Sequence, residues 1–127
     1  MLRVMCKSKI HNAVVTMAKV NYGGSIVIDS ALIRRANIIP NEMVLVVNLR
    51  TGARFETYTV EGEKNSGIIG LLGGAAMLGK TGDKLIIMSS CLLDDKAAKK
   101  HKPIYVYTGE NNKIEKITGT KNQVRRI

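Results

Sequence analysis

Short apolar runs alternate with turn residues along the chain, and most of the runs have the two-residue period of strands. Leu2 to Asn12 reads as an extended segment in which Lys7, Lys9 and His11 recur at every second position and share one face. Val14 to Val20 is a second β-prone run, closed by Asn21-Tyr22-Gly23-Gly24. Ser25 to Asp29 is a third, dense in β-branched residues. Asp29 or Ser30 then caps a short helix expected over Ala31 to Asn37. Pro40-Asn41-Glu42 turns the chain into Met43 to Leu49, a nearly continuous apolar strand of the buried type. Beyond the tight turn Arg50-Thr51-Gly52-Ala53 comes an alternating strand, Arg54 to Glu61. It sets Arg54, Glu56, Tyr58 and Val60 on one face and Phe55, Thr57 and Thr59 on the other.

The second half continues in the same style. Gly67 to Leu72 is a short apolar strand, and Gly73-Gly74-Ala75-Ala76 is small enough for close backbone approach. Gly82-Asp83 turns into the core strand Lys84 to Ser90, and Asp94 starts a short lysine-rich helix bounded by Pro103. Ile104 to Thr108 and Lys113 to Ile117 form a closing hairpin around Glu110-Asn111-Asn112, and the tail from Gly119 is expected to be loosely ordered. The sum is a mainly β chain, a compact β-barrel with two small helices in one domain spanning 1–127.

Composition narrows the function classes. With 45% apolar and 24% charged residues the chain has ordinary globular composition. One Phe, four Tyr and no Trp leave too few ring faces for a nucleic-acid stacking platform. The net charge of +10 raises the prospects of nucleic acid, a membrane surface or an anionic small molecule. Most of that charge is scattered; the cluster Lys96, Lys99, Lys100 and Lys102 reads as a solvated helix face. Cys6 and Cys91 have no motif spacing, and with no signal peptide they read as reduced thiols of a cytoplasmic protein. His11 and His101 are too few for a metal site. The longest uncharged run, Asn65 to Gly79, is short for a bilayer and rich in glycine, so no membrane association is expected.

One motif is a decoy. Gly74 to Thr81 spells G-x-x-x-x-G-K-T, the phosphate-cradling loop of nucleotide hydrolases. That loop works only when a helix follows and points its N-terminus at the phosphates. Here Gly82-Asp83 and a strand-like run follow instead.

Tyr22-Gly23-Gly24-Ser25 has two readings. The ordinary one is a hairpin corner. The chemical one places the Ser25 hydroxyl beside the Gly24 carbonyl, where a bent peptide lets the hydroxyl attack and exchange an amide for an ester.

The surrounding residues carry a resemblance. Lys9-Ile10-His11, Tyr22-x-Gly24-Ser25-x-x-Ile28-Asp29, Thr51-Gly52-Ala53-Arg54-Phe55-Glu56-Thr57-Tyr58, Gly73-x-Ala75-Ala76 and Gly82-Asp83 fall in register with the bacterial aspartate 1-decarboxylases. The likeness runs to about Gly119. It implies a double-psi β-barrel, assembled as a homotetramer with active sites between subunits. It implies self-cleavage between Gly24 and Ser25, giving a β chain of 1–24 and an α chain of 25–127. The cofactor implied is a covalent pyruvoyl group made from Ser25, whose ketone takes up the amine of L-aspartate as an imine and acts as the electron sink for decarboxylation. No metal and no pyridoxal phosphate are implied.

The resemblance also assigns roles. Thr57 donates to the oxyanion formed at Gly24 during cleavage. Arg54 grips one substrate carboxylate with its planar fork and Lys9 meets the other charge. Tyr58 returns the proton, His11 and Tyr22 line the pocket, and the backbone of Gly73, Gly74 and Ala75 contacts substrate or precursor. Thr57 and Tyr58 point to opposite faces of a regular strand, so a bulge or a site shared between subunits is needed to bring both near residue 25. A maturation factor that assists cleavage is a further candidate partner.

Two positions depart from the family pattern: Leu72 stands where an Asn is usual, and Val47 where some members have an aromatic residue. A second class of function competes. Ser25 to Val44 also resembles the strand-helix-strand unit of swapped-hairpin DNA-binding regulators, whose DNA affinity falls steeply with salt. That reading leaves Arg54-Phe55-x-Thr57-Tyr58 without a purpose, so nucleic acid is the weaker partner class.

Overall fold

The computed structural model describes residues 1–120 and 123–126. Its strands are β1 (Leu2–Val14), β2 (Met17–Lys19), β3 (Ser25–Asp29), β4 (Met43–Asn48), β5 (Arg54–Gly62), β6 (Ile69–Leu72), β7 (Lys84–Asp94), β8 (Ile104–Thr108), β9 (Ile114–Thr120) and β10 (Gln123–Arg126). Two one-and-a-half-turn helices interrupt them, α1 (Ser30–Arg35) and α2 (Asp95–Lys100), along with 3-10 turns at Gly73–Met77 and Glu110–Asn112. The architecture is mainly β and barrel-like, with mixed strand directions.

Strand order in the sheet is β10-β9-β8-β1-β7-β4-β5-β3-β6-β2. Most neighbours are antiparallel, but β1–β8, β3–β5 and β2–β6 run parallel. The far end returns to the start. Just past β1, the Val15 amide donates to Asp83 and the Thr16 amide donates to Ile69 at the head of β6. The Thr16 hydroxyl and the Ile69 backbone add a second pair of bonds there. The sheet therefore curls around one core, and alternation does the sorting. Phe55, Val46, Ile87, Ile10, Val106 and Ile117 lie opposite one another across β5, β4, β7, β1, β8 and β9. All of them belong to the hydrophobic core or pack against it. Their immediate neighbours in each strand face outward, which is what makes a second, chemically different face available.

Turn chemistry fixes the connections. Asn12, Asn37, Asn41, Asn65, Asn111 and Asn112 all have positive φ, the region Asn tolerates better than other side chains. Asn37 ends the helix two residues before its neighbours' apolar pattern does, so the helix is Ser30–Arg35 rather than Ala31–Asn37. Its cap is Asp29, 4% exposed, whose carboxylate accepts from the amides of Ala31 at 2.8 Å, Asn65 at 2.9 Å and Gly67 at 2.9 Å. One side chain thus ties β3 to α1 and to the loop before β6. Asp29→Ala strips three amides, that of Gly67 buried, of a charged acceptor and should lower unfolding stability by about 2 kcal/mol in a denaturant titration.

Four further expectations need correction. The run Val14 to Val20 does not make one strand: Val14 completes β1, the chain breaks at Val15-Thr16, and only Met17–Lys19 is extended. The break exists because the Val15 and Thr16 backbones bond sideways, to Asp83 and Ile69. Lys84 to Ser90 extends to Asp94, because β1 pairs with it over its whole length. Lys7 does not stand with Lys9 and His11: the β1–β7 register slips between Cys6 and Ser8, and Lys7 turns to Glu42 at 2.7 Å. The tail is also more regular than expected, since β9 reaches Thr120 and 123–126 pair with it as β10. The tail positions 121, 122 and 127 lie outside the described residues.

Glu42 is the hub of that Lys7 contact. It accepts from Lys7 Nζ, from the Ser89 hydroxyl and from the Ile39 amide at 3.2 Å. Burial works against its ionisation, but these donors outweigh it and hold the carboxyl below its ordinary 4.5. A carboxylate depressed in the folded state stabilises the fold fully above its unfolded pKa and loses that contribution as pH falls through the folded value. Glu42→Gln should therefore be less stable than the parent near neutral pH, with the gap closing below about pH 4. Denaturant titrations at both pH values check this.

Candidate active site

Ser25 opens β3 and is 3% exposed. Its antiparallel partner is Leu72, the last residue of β6, so the two side chains stand side by side on one face. The parallel pairing of β3 with β5 begins at Ile26 and Thr59. One step earlier, that register puts Ser25 beside Tyr58. The serine thus lies between a leucine and a tyrosine, and among the described residues no hydrogen bond engages its hydroxyl. Gly24, just before the strand, is exposed backbone with no side chain to cover its carbonyl.

The glycine turn after β6 holds this step in place. Gly73 has φ +64, and a Cβ placed there would lie 2.4 Å from the Tyr22 carbonyl oxygen, 2.6 Å from the Gly24 nitrogen and 2.7 Å from Gly24 Cα. Only a residue without a side chain lets the 73–77 turn come this close to the 22–24 backbone. Gly74 is exposed with open space around it, and Ala75 is 7% exposed and part of the core. Tyr22 is 55% exposed, with Lys19 Nζ lying 5.9 Å from its ring centroid.

On β5 the alternation is regular. The β4–β5 register runs unshifted from Val47–Arg54 to Met43–Tyr58, so no bulge rotates the strand at this point. Thr57 points to the core at 8% exposure and Tyr58 points out at 39%. Tyr58 therefore shares the outward face with Arg54, and Thr57 lies on the inward face.

Lys9 and His11 are elsewhere. Across the outer face, Arg54, Val47, Ile86, His11, Tyr107 and Lys116 form one row, and Glu56, Leu45, Met88, Lys9 and Tyr105 form the next. Lys9 and His11 on β1 are four strands from Ser25 on β3. At the usual spacing that is about 19 Å of sheet. Around His11 the chain builds an aromatic nest that the sequence did not announce. Tyr107 stacks on the imidazole at 4.7 Å and Tyr105 meets it edge-on at 5.8 Å. Lys9 Nζ lies 5.5 Å from the Tyr105 ring and Lys116 Nζ lies 4.8 Å from the Tyr107 ring. Burial and the neighbouring Lys9 push the His11 pKa down from 6.5, so the imidazole is the neutral member of a cationic patch. The signal for Tyr105 and Tyr107 was their two-residue spacing, which lacks meaning until β8 is known to run parallel to β1.

The nucleotide-loop string behaves as expected of a decoy. Gly73–Met77 is a 3-10 turn and Thr81-Gly82 lead into β7 with no intervening helix. The Lys80 amide donates to Asp83 at 3.0 Å. Asp83 also accepts from Arg50 Nε at 2.5 Å and from Asn48 Nδ2 at 2.9 Å, and the Arg50 and Asn48 bonds hold its carboxyl far below its usual range. Asn48 donates as well to the Leu78 carbonyl at 3.1 Å. This network braces the far end of the glycine turn. Lys96, Lys99 and Lys100 lie on the exposed side of α2, as a solvated face should. Among the described residues no group of three metal-ligating side chains converges, and no helix is long and apolar enough to cross a membrane.

Comparison with known proteins gives a consistent picture. The family model described as aspartate decarboxylase matches residues 1–115. The chain is 52% identical over 113 residues to the aspartate 1-decarboxylase of Thermoanaerobacter pseudethanolicus, covering 89% of this chain and 97% of that protein. It is 51% identical over 114 residues to the enzyme of that name from Clostridium novyi, covering 90% and 93%. A third such enzyme, from Caldicellulosiruptor saccharolyticus, is 52% identical over 118 residues, covering 93% and 92%.

Proposed function

Because the chain belongs to the aspartate decarboxylase family, we propose that it is a carboxy-lyase converting L-aspartate to β-alanine and carbon dioxide for pantothenate and coenzyme A synthesis, after cutting itself between Gly24 and Ser25. The observation that carries the reading is Ser25 itself: a 3% exposed serine whose hydroxyl makes no hydrogen bond among the described residues, preceded by bare glycine backbone that Gly73 approaches closely.

The residues fit a pyruvoyl group. Ser25 Oγ attacks the Gly24 carbonyl carbon, the carbon–nitrogen bond breaks, and an ester replaces the amide. Thr57, on the inner flank, is the donor for the oxyanion that forms on the way. Elimination frees the 1–24 chain as a carboxylate; water then replaces the nitrogen at the new end of 25–127, releasing ammonia and leaving a ketone. That ketone supplies the electron sink that decarboxylation needs. Arg54 offers a fork to a substrate carboxylate, and Tyr58, on the same outward face, delivers a proton.

Lys9 and His11 belong to the same reaction only if a second copy brings them. They lie on the outer face, four strands from their own Ser25. With no bulge on β5, an active site shared between subunits of a homotetramer is the arrangement that unites them. His11 and Tyr22 then line the pocket, with the Gly73, Gly74 and Ala75 backbone as its floor. Reduced Cys6 and Cys91 suit a cytoplasmic enzyme.

The test is the mass of the purified protein under denaturing conditions, followed by carbon dioxide release from aspartate. Two fragments split at Gly24–Ser25, the larger bearing the pyruvoyl group, with turnover of aspartate, are expected. A single uncut 13.9 kDa chain after prolonged warming overturns unassisted cleavage. Adding a maturation factor then separates an assisted enzyme from an inactive one. Leu72, opposite Ser25, offers no hydrogen bond to the reacting hydroxyl. Leu72→Asn should accelerate cleavage about tenfold, the equivalent of one hydrogen bond gained in the transition state, as followed on a denaturing gel.

A further inference from the structure

At the opposite end of β3 from Ser25 lies a cavity of about 680 Å³, lined by Asp29, Ala31, Leu32, Arg34, Arg35, Lys64, Asn65, Gly67 and 111–114. None of the decarboxylase residues borders it. Four cations do: Arg34 and Arg35 from the last turn of α1, Lys64 from the loop before β6, and Lys113 just before β9. The ion pairs among the described residues are Arg3–Asp95, Lys7–Glu42 and Arg50–Asp83, so all four are unpaired there. The cavity's one carboxylate, Asp29, is already spent on three amides. Asn112 is likewise engaged, bonding Val14 and Gly67. What remains free is positive charge from three separate elements, with Ala31, Leu32 and Ile114 as an apolar wall.

We propose that this cavity binds an organic molecule carrying two or more phosphoryl groups. The volume suits a ligand of that size. Four like charges held around one space repel one another until a polyanion enters, and adjacent arginines match phosphoryl oxygens with paired donors. A single carboxylate such as aspartate would leave most of that charge unanswered, which separates this cavity from the substrate site. The apolar wall selects for a ligand with a non-polar portion over a bare phosphate chain.

Titration calorimetry of the full chain at about physiological salt tests this with two probes, adenosine triphosphate and inorganic tripolyphosphate. Saturable binding of the nucleotide is expected, severalfold tighter than tripolyphosphate. Arg34→Gln with Arg35→Gln should weaken it at least tenfold and Lys113→Gln severalfold, with unchanged melting temperatures. Lys9→Gln, which alters the other cationic patch, should leave it unchanged. Absence of saturable binding, equal affinity for the two probes, or a loss as large in Lys9→Gln as in the arginine pair overturns the proposal. Because the readout is binding, a failure of aspartate turnover does not bear on it.

Discussion

Ser25→Ala is expected to give one uncut chain of 13.9 kDa on a denaturing gel and no measurable release of carbon dioxide from aspartate, a loss of at least about 10⁴-fold. The hydroxyl has two duties that no neighbour can assume: it is the nucleophile for cleavage, and, as the ester oxygen that departs with the 1–24 carboxylate, it is the leaving group whose loss lets water turn the new end into the ketone. Water cannot substitute, because simple hydrolysis at Gly24 would leave an amine where the ketone is needed. The fold should hardly notice. Ser25 is buried, but its hydroxyl makes no hydrogen bond among the described residues, so the alanine leaves no donor or acceptor stranded and stability should change by less than about 1 kcal/mol. Intact stability with absent cleavage is the outcome that separates chemistry from folding. Normal turnover in the uncut variant would remove Ser25 from the mechanism altogether.

How much of this was written in the sequence depends on the range of the interaction. Strands governed by local alternation were legible: Ser25–Asp29 and Ile104–Thr108 stand where the apolar period puts them, and the run Arg54 to Glu61 falls one residue short of β5. The faces of β5 were legible for the same reason, including the opposition of Thr57 and Tyr58. Boundaries set by distant partners were not. The break at Val15-Thr16 is made by Asp83 and Ile69, far along the chain, and the slip at Lys7 is made by the β7 register and Glu42. The Gly24–Ser25 step was visible as an unusual dipeptide, and family likeness supplied its chemistry. What the sequence could not supply was which candidates share a chain's own pocket. Lys9 and His11 look like neighbours of Arg54 in any list of polar residues, yet two strands of sheet, β7 and β4, separate them from it. The aromatic nest of Tyr105 and Tyr107 and the cation-lined cavity at Arg34 and Arg35 likewise follow from pairings that no local pattern encodes.

Gly73 and Gly74 look interchangeable in the sequence, and their substitutions should have opposite outcomes. An alanine at 73 meets two independent obstacles. Its φ of +64 is a conformation that costs a side chain about 1–2 kcal/mol. Its Cβ would also stand 2.4–2.7 Å from the Tyr22 oxygen and the Gly24 nitrogen and Cα, all of them backbone atoms that cannot swing aside. Relieving that overlap must move either the turn or the scissile step, at a further cost of about 1–3 kcal/mol. Gly73→Ala should therefore lose about 3 kcal/mol of stability and, where it still folds, cleave at least about 100-fold more slowly, because the displaced atoms include those beside the attacked carbonyl. At Gly74 a Cβ meets nothing within 4 Å and φ lies outside the positive range. Gly74→Ala removes backbone freedom from the unfolded chain without strain in the folded one, so it should be neutral or stabilising by about 0.5 kcal/mol and cleave at the parental rate. A melting curve and a cleavage time course on both variants decide the matter. If Gly73→Ala cleaves as fast as the parent, the turn is not what holds the Gly24 carbonyl in front of the Ser25 hydroxyl, and that positioning must come from the 21–25 loop itself.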